Sequence, residues 1–157
     1  MADFFARFAG FQPDGSASTK DEFARLAKNR NWKKNGKTWR KQWANFVQAE
    51  FRTHYGAQEP KLAGWQALCL DAGVEESLNS ITKCKKALKK VHVNIVDLID
   101  LRRAEGDTRE NGRPNKKVKR FPNVAALRHY TQSTGKIFPK KTAKEDGFLK
   151  VLLREIF

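Results

Sequence analysis

The sequence predicts an all-α protein: a compact multi-helix domain of about six helices with a flexible basic loop near residues 104–120. Three observations carry this prediction. Apolar residues recur at spacings of three and four along most of the chain, the period of a helix with one buried face. Glycine, proline and Ser/Thr-x-x-Glu signals divide those stretches at helix-sized intervals. The 157 residues suit one domain. Leu, Ile, Val and Phe together number 36, above the ~20% below which a highly charged chain stays unfolded.

The elements follow in order. Phe4, Phe5 and Phe8 share a face in a short N-terminal helix that ends near Gly10. This Phe-rich segment reads as a strap on the core, or else as a docking motif for a partner. Residues 19–31 form a helix, opened by a capping box of Thr19 and Glu22. Lys33-Lys34-Asn35-Gly36 is a turn. A long helix over 38–55 aligns Trp39, Trp43, Phe46, Val47 and Phe51, turns Lys37, Arg40 and Lys41 to solvent, and ends at a left-handed Gly56.

Pro60 opens a helix over 61–72 with Leu62, Trp65, Cys69 and Ala72 inward, closed by Gly73 and the apolar Val74. Ser80 caps the next helix. Ile81, Cys84, Leu88, Val91, Ile95 and Leu98 keep the helical period to about Arg103, although the β-branched run at 91–96 permits a strand, or a break near His92. Residues 104–120 contain almost nothing apolar except Val118. A helix over 123–134 stops at Gly135. Thr142 and Glu145 form a second capping box, opening a last helix with Phe148, Leu149, Leu152, Leu153 and Ile156. Two short helices cannot make a core alone, so 121–157 is expected to dock on a main body of 19–103 within one domain.

Charge points to function. The chain carries 32 Lys and Arg against 17 Asp and Glu, a formal net charge of +15. Such an excess favours a polyanionic partner. It is clustered: residues 1–60 hold +5, 61–100 hold +1 and 101–157 hold +9. One acid-free run includes Arg30, Lys33, Lys34, Lys37, Arg40 and Lys41; a second holds Lys83, Lys85, Lys86, Lys89 and Lys90. Both suit phosphate contact, which makes affinity fall with salt. Trp32, at a helix end beside Lys33 and Lys34, is a candidate base-stacker. Trp39 and Trp43 read as core. The order helix, glycine stop, Lys-rich helix over 61–91 distantly resembles a helix-turn-helix. Its lysines suit phosphates better than base edges.

Lys116, Lys117, Lys119 and Arg120, behind Pro114, have the form of a nuclear localisation signal, which adds a nuclear import receptor as a partner. A disordered arm lying along phosphates is the competing reading.

Other classes lack their signals. No stretch approaches the ~20 apolar residues that span a bilayer, and the N-terminus lacks the order of a secretory signal. Cys69 and Cys84 form no CxxC pair, which suits free thiols in a reducing, intracellular compartment. No Gly-rich phosphate loop, HExxH or GxSxG occurs. Cys69, Cys84, His54 and His92 lack zinc-site spacing. Asp97 and Asp100 read as helix-surface acids, with Arg103 pairing at i,i+3, rather than as metal ligands. No catalytic residue, metal or cofactor is expected, and the protein reads as a non-enzyme.

The blocks FFARFAGFQPDGSAS, EFARLAKNRNW, LAGWQALCLDAGV, SITKCKKALKKVHVNIVDLID and IFPKKTAKEDGFLKVLLREIF resemble a group of small basic proteins of filamentous fungi. The resemblance implies a eukaryotic, intracellular protein and carries over no functional residues. The expectation is a nuclear nucleic-acid-binding protein, with DNA ahead of RNA. The alternative is a protein-interaction adaptor that docks through the Phe-rich N-terminus or the C-terminal helix, with its charge serving solubility or an acidic partner.

Overall fold

Helix boundaries follow from local capping chemistry. A computed structural model describes residues 4–56, 61–74 and 78–139. Among them run α1 (Thr19–Asn29), α2 (Lys37–Phe51), α3 (Lys61–Asp71), α4 (Ile81–Leu88), α5 (Ile95–Glu105) and α6 (Val124–Thr134). A 3-10 turn at Phe4–Arg7 precedes them, and a π-turn at Arg52–Gly56 extends α2. The all-α class is thus the observed one. The last capping box and helix, 142–156, lie outside the described residues.

Asparagine and serine side chains start three of the helices as expected of caps: Ser80 on Lys83 N–H, Asn94 on Asp97 N–H and Asn123 on Ala126 N–H. Two α-helices end on the hydrogen-bond pair that a left-handed residue permits. After α3, Gly73 (φ +89°) lets Val74 N–H reach Cys69 O and its own N–H reach Leu70 O. After α1, Asn31 (φ +57°) does the same, with Trp32 N–H on Ala27 O and Asn31 N–H on Lys28 O.

Several local expectations are corrected. The cap of α1 is Ser18, which accepts from Asp21 N–H, and not Thr19. Thr19 is buried and donates both N–H and hydroxyl to Asp100 Oδ1, at 2.7 and 2.6 Å. Glu22 turns inward and accepts from Asp14 N–H and Arg25. Gly56 is not left-handed, because α2 ends by widening into the π-turn. The helix over 80–103 is not continuous: it breaks around His92, the alternative that the β-branched run allowed. Residues 89–94 leave the helix, Val93 pairs antiparallel with Arg120, and Asn94 caps a new start. Asp100 therefore binds Thr19, while Arg103 pairs with Glu50 and Glu22 rather than with Asp100.

The core gathers residues from every helix. Phe46, at the centre of α2, touches the rings of Phe4, Phe5 and Phe23 at centroid distances of 5.3, 5.1 and 6.0 Å. Phe4, Phe5 and Phe11 are buried, so the N-terminal segment is a strap within the core. α3 packs on α4 and on the π-turn, while α5 lies against α1 and α2. Leu127, Thr131 and Phe138 are buried, and Asn94 donates to Thr131 Oγ1 and Lys136 O. Residues 121–139 thus pack onto the remainder of the protein.

The basic loop is tied down at several points. Arg109 reaches Asp71, Asn115 N–H donates to Glu105, Arg120 donates to Gly73 O, and Phe121 N–H donates to His92 O. Cys69 and Cys84 are both buried with free thiols, and Cys69 Sγ donates to Cys84 O at 3.7 Å. Burial, then the adjacent Cys84, pushes the Cys69 thiol up to about 12. The neutral thiol is a poor nucleophile. Ellman's reagent at neutral pH is expected to report almost no thiol in the native protein and two after unfolding in guanidinium chloride. Rapid native reaction would contradict this packing.

Candidate nucleic-acid interface

The first basic cluster occupies the junction of α1 and α2. The capping pair after α1 sets Trp32 at the helix end, and the turn Lys33–Gly36 closes with Gly36 N–H on Lys33 O at 2.9 Å. Lys33, Lys34, Lys37, Arg40 and Lys41 are all exposed, and none forms an ion pair or side-chain hydrogen bond among the described residues. No acidic residue occurs anywhere from 23 to 49.

The start of α2 is electrostatically unusual. Its cap position is Gly36, which offers no side-chain acceptor, and its first turn contains no acid. The first amides of a helix carry the positive end of its dipole, where an anion is favourable and a cation is not. Here Lys37, Arg40 and Lys41 add positive charge to that end. Uncapped amides with surrounding cations form a ready anion site.

Arg30, expected in this set, is structural. Its guanidinium donates to Ala9 O at 2.6 Å and lies over the Phe8 ring, so it secures the N-terminal strap. Arg25 is similarly committed to Glu22, Gln12 O and the Phe11 ring.

The second cluster stands elsewhere. Cys84 and Leu88 anchor α4 against α3, and Lys83, Lys85, Lys86, Lys89 and Lys90 face solvent. Lys83 donates to Asn79, and Lys85 lies 5.4 Å from the Trp65 ring centre. Lys86, Lys89 and Lys90 have no side-chain partner among the described residues. α3 meets α2 through the π-turn that follows Phe51, whereas the first cluster surrounds the other end of α2. The α4 lysines thus stand on a helix that packs against α3, while the first cluster stands at the start of α2. At eight residues, α4 is also a short candidate for a recognition helix.

No family model, curated protein or solved structure matches the chain.

The loop cations divide as well. Lys116 and Lys117 are exposed without side-chain partners among the described residues. Lys119 lies over the rings of Phe121 and Tyr130, and Arg120 is held by Val93 and Gly73. No helix of the described residues is long and apolar enough to cross a membrane. Among those residues no group of three or more His, Cys, Asp or Glu is arranged to hold a metal ion.

Beside the first cluster lies a pocket of about 350 Å³, lined by Phe23, Trp32, Trp39 and Trp43 with Lys20, Lys28 and Lys34 among its other walls. Trp39 and Trp32 are half-buried, not fully enclosed; Trp43 is buried and donates its indole N–H to Ile137 O at 2.7 Å. The sequence reading marked Trp32 but missed Lys28 and Phe23 as its neighbours. The acid-free run already included Lys28, so the signal was present but its position relative to Trp32 was not.

Proposed function

We propose that the protein binds nucleic acid, with the α1–α2 junction as its principal phosphate contact. One observation carries this reading: five exposed cations, Lys33, Lys34, Lys37, Arg40 and Lys41, flank the uncapped N-terminus of α2 in sequence and have no acidic partner among the described residues. Cations placed at the positive end of a helix dipole cost stability, and a bound phosphate reverses the sign of that interaction. Lys86, Lys89 and Lys90 on α4 supply a second contact. A nuclear location, through an import receptor that reads Lys116 and Lys117, belongs to the same proposal. It is the ground for placing DNA ahead of RNA.

Fluorescence anisotropy with labelled duplex and single-stranded oligonucleotides across a salt series tests this reading. Contacts to five phosphates predict a fall in affinity of roughly a hundredfold between about 50 and 200 mM salt. The double variant Lys37→Glu, Lys41→Glu should weaken binding to all sequences alike by about tenfold or more. Absence of binding at about 50 mM salt overturns the proposal, because phosphate contacts are strongest there.

A further inference from the structure

We infer that the pocket between α1 and the start of α2 takes an unpaired nucleobase, making the protein a single-strand binder. This inference rests on the phosphate-binding reading above and adds a base site to it. The buried Phe23 ring links the three tryptophans of the lining, with centroid distances of 6.0 Å to Trp32, 5.1 Å to Trp39 and 5.3 Å to Trp43. Trp39 and Trp43 stack nearly parallel at 6.1 Å, which steadies the Trp39 ring at the pocket wall. The volume of about 350 Å³ falls at the small end of ligand sites and is large enough for one base.

The charges around the mouth select the occupant. Lys28 and Lys34 are exposed and without side-chain partners among the described residues. Lys20 is held against Thr134 O and closes the pocket beside Gly135. Among the described residues Asp21 is the one acid in the lining; as a hydrogen-bond acceptor it complements an N–H on a base edge, such as the N3–H of thymine. An aromatic interior with cations at its edge is the arrangement that single-strand binders use: the ring stacks while the backbone follows the positive charge. Lys34 and Trp39 belong both to the pocket and to the turn that opens α2, so a base in the pocket leaves its phosphate near the uncapped amides. A paired base within a duplex cannot enter.

The test compares two probes of equal length and charge with the full-length protein: oligothymidylate, and an abasic oligonucleotide that keeps the phosphates alone. The expected result is roughly tenfold tighter binding of oligothymidylate, with quenching of tryptophan fluorescence that the abasic probe does not produce. Trp32→Ala should remove most of that difference, and Trp32→Phe should retain part of it. The wild-type quenching comparison needs no variant, so it decides the matter even if Trp32→Ala fails to fold. Equal affinity for both probes overturns the base pocket and leaves phosphate binding standing. Failure to bind either probe at low salt overturns the phosphate reading as well.

Discussion

Replacing Asp71 with alanine is expected to lower the free energy of unfolding by about 3–5 kcal/mol. Asp71 is a buried carboxylate on α3. Its Oδ2 accepts from the Tyr55 hydroxyl and from Arg102 Nε at 2.5 and 2.6 Å, and its Oδ1 accepts from Arg109 at 2.7 Å. Truncation would leave Arg102 without its carboxylate and the Arg109 side chain, only 5% exposed, with Glu105 alone at 3.5 Å. The surviving charges, not the lost attraction, dominate the cost. Burial, then the Asp71 charge, pushes the Tyr55 phenol well above its ordinary value, so it remains a neutral donor. Tyr55→Phe removes one hydrogen bond and should cost only about 1 kcal/mol. Urea unfolding monitored by circular dichroism gives both values. A loss below about 1 kcal/mol for Asp71→Ala would mean that the arginines find other partners.

Phe46→Ala is expected to cost a similar amount, about 3–5 kcal/mol, by a different route. Phe46 is fully buried and its ring joins the N-terminal strap to α1, since Phe4 and Phe5 approach it on one side and Phe23 on another. Its removal opens a cavity bounded by stiff rings from two separate segments, which close such a space poorly. For a protein of this size the loss corresponds to a fall in Tm of about 10 °C. Phe46→Leu should recover more than half of the loss because it refills most of the volume. Near-ultraviolet circular dichroism should weaken as the aromatic packing loosens. Equal stability of the alanine variant and the wild type would show that the strap contributes little to the fold.

Secondary structure was legible wherever its cause is local. The spacing of Phe23, Leu26 and Ala27, the serine before α4 and the glycine after α3 act within one or two helical turns. The errors lie where a distant partner competes. Thr19 has the chemistry of a cap, yet Asp100, 81 residues away, takes its hydroxyl. The break at 89–94 is fixed by the pairing of Val93 with Arg120 and by Asn94, which starts α5 while holding the end of α6. The helical period of Ile81 to Leu98 continues through the break, so the β-branched run at 91–96 allows it without requiring it.

The candidate site divides along the same line. By itself the sequence determined that the protein is helical, strongly basic and charged in runs, because periodicity, capping and acid-free stretches are properties of neighbouring residues. Only the tertiary structure decided which cations stay available. Arg30 is drawn into the strap, Arg120 onto Gly73 O, and Arg109 onto Asp71, while Lys33, Lys34, Lys37, Arg40 and Lys41 keep no partner among the described residues. An arginine is written the same way whether it faces a phosphate or a buried carboxylate. Packing sets its partner by bringing together segments far apart in the chain. For the same reason the pocket of Phe23, Trp32, Trp39 and Trp43 exists only once α1 and α2 have closed upon each other.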